Sequence, residues 1–548
     1  MKRMTRVLCL LLSVLLLAGC EFSGAPDASG ALSQNSGAKQ TEKMLSQIRE
    51  LGDSPDDNYR TWYEIFVYSF CDSNGDGIGD LAGVTSKLDY LQELGINGIW
   101  LMPIHPSTSY HKYNVSDYYS IDPAYGSMED FDTLMAECEK RDIHVILDLV
   151  VNHSGSEHQW FKAATDYLRS IGNAEPNAED CPYLDYYFFQ KDSGSGYCQV
   201  TGTDWYYEGK FNYDMPDLNL ASPALRQEIE QIMAFWLDKG VAGFRLDAAK
   251  EFYSGSPDKN KEVLSWLYSA AQAIRPDVYM VAEVWEGFST LTEYYTGGFP
   301  SVFNFAFGDY SGKIITILRG AGNANNVVTY AQALEKADKA FLNANPNYID
   351  APFLSNHDVG RIAGFVGRDE SKTKLAGAMN LFMSGSAFIY YGEEIGMVGA
   401  GNDPSKRAPM YWNKNRDNGT TDLPPECTLP EEYPFASLDE QRKDDNSVYN
   451  YYRQAIAIRQ ALPVISHGRT TEEKALNQGC VSAQRKTWND ETCIILMNIS
   501  EEAATVDLSA YEGWTLAASL SANGKKITLK GSQLNLAAWG VAVLTPAA

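Results

Sequence analysis

The sequence predicts an α/β chain in which a barrel of eight parallel strands and helices is interrupted once and then followed by an antiparallel β domain. Three observations carry that prediction. Short β-branched and aromatic runs alternate with longer stretches of helical period. One stretch, 154–220, breaks the alternation. After the helical run 447–461 the pattern changes to short strands separated by turn residues.

The strand candidates fall near 62–70, 98–102, 144–150, 243–247, 278–283, 302–305, 351–354 and 387–391. Amphipathic runs such as 225–239 and 261–273 lie between them. Eight alternating units are the pattern of a (β/α)8, or TIM, barrel. The break at 154–220 is rich in Tyr, Asp, Gly and Asn. A connection this long in a compact domain is usually functional or a small domain of its own. It follows the third strand candidate and would overhang one rim. The runs 481–487, 493–499, 514–518 and 538–544 make up the C-terminal β domain.

The N-terminus reads as an export signal. Lys2, Arg3 and Arg6 precede the apolar stretch 7–17, and Leu17-Ala18-Gly19-Cys20 closes it. The apolar core is short for a bilayer span, which fits a cleaved signal at 1–19. LAGC resembles a bacterial lipoprotein box, in which Cys20 carries the lipid. Residues 20–57 are rich in Ser, Gly, Ala, Asn and Asp, with one weakly helical patch near 42–51, and read as a flexible tether. Membrane attachment through the lipid alone, with export to the cell surface or envelope, is the expectation.

The formal net charge is −26, and loss of the three basic residues of the signal makes it more negative. Such a surface repels nucleic acid and suits a neutral substrate. Of nine cysteines, Cys9 leaves with the signal and Cys20 is the lipidation candidate. Cys138 lies on an apolar helical face, and Cys181 and Cys198 flank a Gly/Ser loop where they could pair. No cysteine spacing suits zinc.

Four segments place a carboxylate or imidazole where a hydrophobic strand gives way to a loop. They are DLVVNH (148–153), GFRLDAAK (243–250), VAEVW (281–285) and FLSNHD (353–358). On a parallel barrel these ends converge at the C-terminal rim. Carboxylates meeting there are the equipment for cleaving a glycosidic bond. Asp247 follows Arg245 by two, so both face the same way, and the cation keeps the carboxylate ionised. Glu283 ends the apolar run VYMVAEV, where desolvation raises a carboxyl toward general-acid duty.

With GIWLMPI (98–104), MPDLN (215–219), YYGEEIG (390–396) and RAPMYW (407–412) in the same order, the chain after the tether resembles the α-amylase family, glycoside hydrolase family thirteen. The resemblance implies a barrel in two parts, 58–153 and 221–462, an inserted domain B at 154–220, and a C-terminal β-sandwich at 463–548. It assigns Asp247 as nucleophile, Glu283 as acid/base and Asp358 as the third carboxylate. Tyr113, His111, His153, Arg245 and His357 are implied as contacts of the cleaved sugar. Lys250 and Trp285 are implied on the leaving-group side. Glu251 stands where α-amylases usually have histidine.

Asp72-Ser73-Asn74-Gly75-Asp76-Gly77-Ile78-Gly79-Asp80 spaces hard oxygen ligands at alternate positions, which suits Ca²⁺. The family loop it matches implies ligation by Asp72, Asn74, Asp76, the Ile78 carbonyl and Asp80. Asn152 and Asp217 match two ligands of a second family site. Ala248, after the nucleophile, follows the α-1,4 pattern, so the resemblance implies an intermediate-type α-amylase acting on starch-like glucans or maltooligosaccharides. A 4-α-glucanotransferase, a cyclomaltodextrinase or neopullulanase-type enzyme, and a non-catalytic glycan-binding lipoprotein are the alternatives. The last would be expected to lose one of the three carboxylates.

Overall fold

A computed structural model describes residues 38–172 and 174–547, so the signal and Cys20 lie outside the described residues. The barrel strands are β1 (Thr61–Ile65), β2 (Gly98–Leu101), β3 (His144–Leu149), β4 (Gly243–Leu246), β5 (Tyr279–Ala282) and β6 (Ser301–Val302). A seventh position, β7, is filled by residues 351–354, and β8 is Ala387–Tyr390. Neighbours pair in parallel from β8 through β1 to β6, for example Thr61 with Ala387 and Asp148 with Arg245. Every residue of β1, β2, β4, β5 and β8 is buried, as strands covered on both faces must be. At Gly98 the Trp62 indole lies so close that a Cβ would fall 2.4 Å from it, and that indole stacks on Tyr279 at 5.1 Å.

Two strands differ from the sequence expectation. The first ends at Ile65, and Val67–Phe70 is a short helical turn. The seventh is no regular strand. Phe303 bridges Ala351, the Asn304 N–H donates to the Ala351 carbonyl at 3.0 Å, and the Phe388 N–H donates to the Pro352 carbonyl at 2.8 Å. Pro352 has no N–H to give, so the segment closes the barrel through isolated bonds.

Between β3 and β4, helix Gln159–Ile171 is followed by a small sheet of Phe189–Gln190, Tyr206–Glu208 and Tyr197–Gln199. Bridges from His153 to Asp217 and from Tyr187 to Leu218 close this excursion at its base. The C-terminal part forms a five-stranded and a three-stranded antiparallel sheet. Ile494 and Leu496 from the first and Val506, Leu534 and Leu536 from the second share one core, the arrangement of a sandwich. Cys181 and Cys198 are both free thiols, so the pairing that the sequence allowed is absent. Cys138 is buried, which pushes its thiol up to about 12. No described helix is long and apolar enough to cross a membrane.

The flexible reading of 20–57 needs correction at its C-terminal part. Lys39–Arg49 is a helix whose Thr41, Leu45 and Ile48 are buried at one-face spacing. It packs against helix Val448–Ala461, with Arg453 bonded to Glu42 at 2.8 Å and the Thr41 N–H donating to Asp445 at 2.7 Å. Leu45 is 2% exposed. Leu45→Ala is expected to cost about 2–3 kcal/mol in denaturant unfolding; a change near zero would return the segment to a loose tether.

Candidate active site

Arg245 is the centre of the rim. Strand alternation turns Arg245 and Asp247 to the same side, and parallel pairing sets Asp148 beside Arg245. The guanidinium is fully buried. It donates to both oxygens of Asp148 at 2.8 and 2.9 Å, to Asp247 at 2.7 Å, to Glu283 at 2.8 Å and to the Tyr113 hydroxyl at 3.3 Å. The Trp100 ring lies 5.1 Å from its centre. A buried cation is tolerated only when paired and hydrogen-bonded, and here three carboxylates from three strands do so.

Glu283 follows β5. Its Oε2 accepts from Arg245 and from the Ala248 N–H at 3.0 Å. Burial holds its carboxyl above the ordinary value against the pull of Arg245, with Asp247 and Asp358 adding to the rise. One guanidinium thus holds two carboxyls side by side, one of them poised to keep a proton.

Asp358 and His357 follow β7. Asp358 receives Arg407 at 2.7 Å and His357 Nε2 at 3.0 Å. Burial would raise it, but His357 and Arg407 hold it well below the usual carboxylate range. His357 Nδ1 meets Glu64 at 2.6 Å, and Tyr113 donates its hydroxyl to Asp148 at 2.9 Å while lying 2.8 Å from His357 Nε2. Burial alone would depress His357, yet Asp358 and Glu64 raise it to about 10.

His111 and His153 behave oppositely. Burial and Arg407 bring His111 down to about 4, and its Nδ1 accepts the Tyr113 N–H at 3.2 Å. Burial lowers His153 too, and its Nε2 has no protein partner. Both are neutral rings able to meet sugar hydroxyls.

A cleft of about 490 Å³ gathers Asp247, Glu283, Asp358, His111, Tyr113, His153, Lys250 and Trp285. Arg245 and His357 lie directly beneath these residues. Trp285 is half exposed and stacks on Phe305 at 5.3 Å, and Lys250 bonds Glu286 at 2.9 Å. Sequence reasoning missed Asp148, Glu64, Arg407 and Phe211. The first and third open the motifs DLVVNH and RAPMYW, which is the signal that was available. Glu64 and Phe211 stand outside every quoted motif.

The acidic loop curls by Asx turns. Asp72 accepts the N–H groups of Asn74, Gly75 and Gly77, Asn74 accepts that of Asp76, and Asp76 that of Ile78. The Asp72 N–H donates to Gly419 and the Asp422 N–H to Gly77, so the loop is pinned against a second one. Asp80 instead caps the following helix, accepting from Gly83 at 2.6 Å and from Ser73. The oxygen-only donor set fits a hard cation over 72–78, while Asp80 would have to turn from its cap to join it. At the second pair, Asp217 Oδ1 is buried without a partner, and burial with Glu208 beside it raises the carboxyl to about 7. No third carboxylate, imidazole or thiol converges on it among the described residues. The one described trio that does converge is Asp56, Asp142 and His144. Arg60 donates to Asp56 and lies 2.9 Å from His144 Nε2, so a cation is already seated there.

Comparison with known proteins adds three likenesses. Residues 64–468 match the family model described as alpha amylase, catalytic domain. Alpha-amylase 3 of Dictyoglomus thermophilum is 40% identical over 448 residues, covering 80% of this chain and 84% of that protein. An oligo-1,6-glucosidase of Parageobacillus thermoglucosidasius is 29% identical, covering 80% and 90%. Among solved structures, Eubacterium rectale Amy13B superposes with a TM-score of 0.88 at 44% identity, covering 93% of this chain and 99% of that one.

Two outcomes follow from the charges. Arg245→Met leaves three buried carboxylates unpaired and is expected to cost about 3–5 kcal/mol in denaturant unfolding; a stable variant would show that the pairing carries no energy. Stability should also fall as pH rises from neutral. The contribution of His357 is complete below about 6.5 and is lost toward 10. Glu393 and Glu394, buried beyond β8 and pushed up to about 8 and 7, add a cost that grows above about 4.5. Thermal melts from near pH 6 to about 10 check the sign, and His357→Gln should flatten the slope.

Proposed function

The chain belongs to the α-amylase family and is a glycoside hydrolase, and on that premise we propose that it is a retaining, endo-acting hydrolase of α-1,4-glucans, cleaving starch or maltooligosaccharides. The observation that carries the reading is the sharing of one buried guanidinium by Asp247 and Glu283 at the floor of the cleft. Retaining hydrolysis needs two carboxyls about 5–5.5 Å apart, and a common guanidinium is a short bridge.

Asp247 is the nucleophile. Its carboxylate attacks the anomeric carbon and forms the glycosyl-enzyme as the bond to the leaving oxygen breaks. Glu283, with its raised affinity for a proton, delivers that proton to the leaving oxygen and then takes one from the attacking water. Asp358, held ionised by Arg407 and His357, accepts hydrogen bonds from hydroxyls of the sugar being cleaved. Tyr113, His111 and His153 contact the same ring. Retention of all three carboxylates argues against a non-catalytic glycan-binding role.

Two things support α-1,4 over α-1,6 linkage. Ala248 follows the nucleophile in the α-1,4 pattern, and the relative named an α-amylase is more similar than the oligo-1,6-glucosidase. A 4-α-glucanotransferase would use the same residues, and product length tells the two apart. The reading includes a structural calcium held by Asp72, Asn74, Asp76, the Ile78 carbonyl and Asp80, where the ion would neutralise the loop's carboxylates. It also includes export and lipid anchoring through Cys20.

Early products from soluble starch and maltoheptaose test the activity. Short maltooligosaccharides from the native enzyme, with a loss of about 10⁴-fold or more in Asp247→Asn, are expected. Products longer than the input would indicate a transferase, and starch binding without turnover would sink the enzymatic reading. Calcium depletion by EGTA should lower the melting temperature of the native protein, and Asp76→Ala should lose that response; equal melts with and without calcium would remove the ion from the reading.

A further inference from the structure

The tip of the inserted segment, just after strand Tyr206–Glu208, reaches the rim through one charged side chain. Lys210 donates to the carboxylate of Glu251 and to the Ser254 hydroxyl, and Ser254 in turn donates to Glu251 at 2.9 Å. Glu251 lies four residues beyond Asp247, on the loop that carries the nucleophile, at the position where the sequence departs from the α-amylase pattern. Lys250 stands 3.8 Å from Glu251 and bonds Glu286 at 2.9 Å and the Trp285 carbonyl at 3.4 Å. Alternating charges therefore run Lys210, Glu251, Lys250, Glu286 across three separate loops.

This chain of charges has an aromatic ring at each end. Phe211, next to Lys210, is half exposed, lines the cleft and meets the His153 ring edge-on at 5.5 Å. Trp285, next to Glu286, is half exposed and lines the cleft with Glu251. The loops after β4 and β5 that bear these groups also bear Glu283, the group that meets the departing oxygen. The charges thus tie together the loops that carry two rings lining the cleft.

We propose that Lys210, acting through Glu251, is a positioning residue that latches the inserted segment to the nucleophile loop and so sets the acceptor half of the cleft, where the incoming or departing glucan chain is held. The inference rests on the α-glucan hydrolase reading given above. Sugar rings bind on such aromatic faces through their apolar side, so moving Phe211 relative to Trp285 changes the grip on the acceptor chain. It leaves the carboxylates around Arg245 in place. The acceptor half of the cleft is where water and sugar compete for the glycosyl-enzyme, so the latch also bears on the balance between hydrolysis and transfer.

Three measurements on Lys210→Met and Lys210→Arg test it. With maltoheptaose, KM should rise about fivefold in Lys210→Met, the range of one exposed ion pair, and the share of products longer than the substrate should change. With an aryl α-maltotrioside, whose leaving group needs no extended acceptor site, kcat should stay within about twofold. Lys210→Arg should restore both. Hydrogen exchange across 206–215 should quicken in Lys210→Met alone, a readout that needs no turnover. Unchanged exchange, or equal loss on both substrates, overturns the latch. A native enzyme that turns over neither substrate while exchange responds would overturn the hydrolase reading and leave the latch as a purely structural tie.

Discussion

The structure turns on a single buried cation. Arg245 has no exposed surface, and taking a guanidinium out of water is costly unless its donors are matched. Asp148, Asp247 and Glu283 take up its two terminal nitrogens from β3, β4 and β5, leaving only Nε without a partner. Those strands cannot shift against one another without stranding a charge. The pairing that makes the rim foldable is the same one that brings two carboxyls together. Stability and chemistry therefore share one set of contacts, and neither can be altered alone.

Around that cation the site separates protonation states by surroundings. Glu283 is pushed toward its neutral form by burial and neighbouring carboxylates, whereas Asp358 is held in its charged form by His357 and Arg407. His357 is bonded between two carboxylates and is a cation, while His111 and His153 have no hydrogen-bonded carboxylate and burial keeps them neutral. Four kinds of hydrogen-bonding group are thus made from two functional groups, the carboxyl and the imidazole. Burial supplies the field strength, and sequence position supplies the partner.

Much of this could be read in the sequence because periodicity and position carry it. Eight strand candidates lie where barrel staves stand, and Asp247, Glu283 and Asp358 were legible because each ends an apolar run. What escaped depends on contacts between distant residues. Glu64 supports His357 across 293 positions, and nothing local in WYEIF advertises it. Phe211 lies in a stretch without period. The segment 39–49 reads as polar because only one narrow face is apolar, and its partner helix lies some four hundred residues away. The end of β1 was misplaced since aromatic residues continue past Ile65 into a helical turn.

The irregular seventh position has a mechanical meaning. β4, which leads to Asp247, is held by four-residue ladders on both sides, and β5, which leads to Glu283, by one such ladder to β4 and a two-residue one to β6. Residues 351–354 are joined to their neighbours by separate bonds, with a proline among them. The barrel therefore has a seam, and Asp358 is mounted on the stave beside it. Two of the carboxyls follow strands joined by ladders and the third follows a segment joined by separate bonds. On the hydrolase reading proposed above, a change of shape in the bound sugar would be met first on the Asp358 side of the cleft.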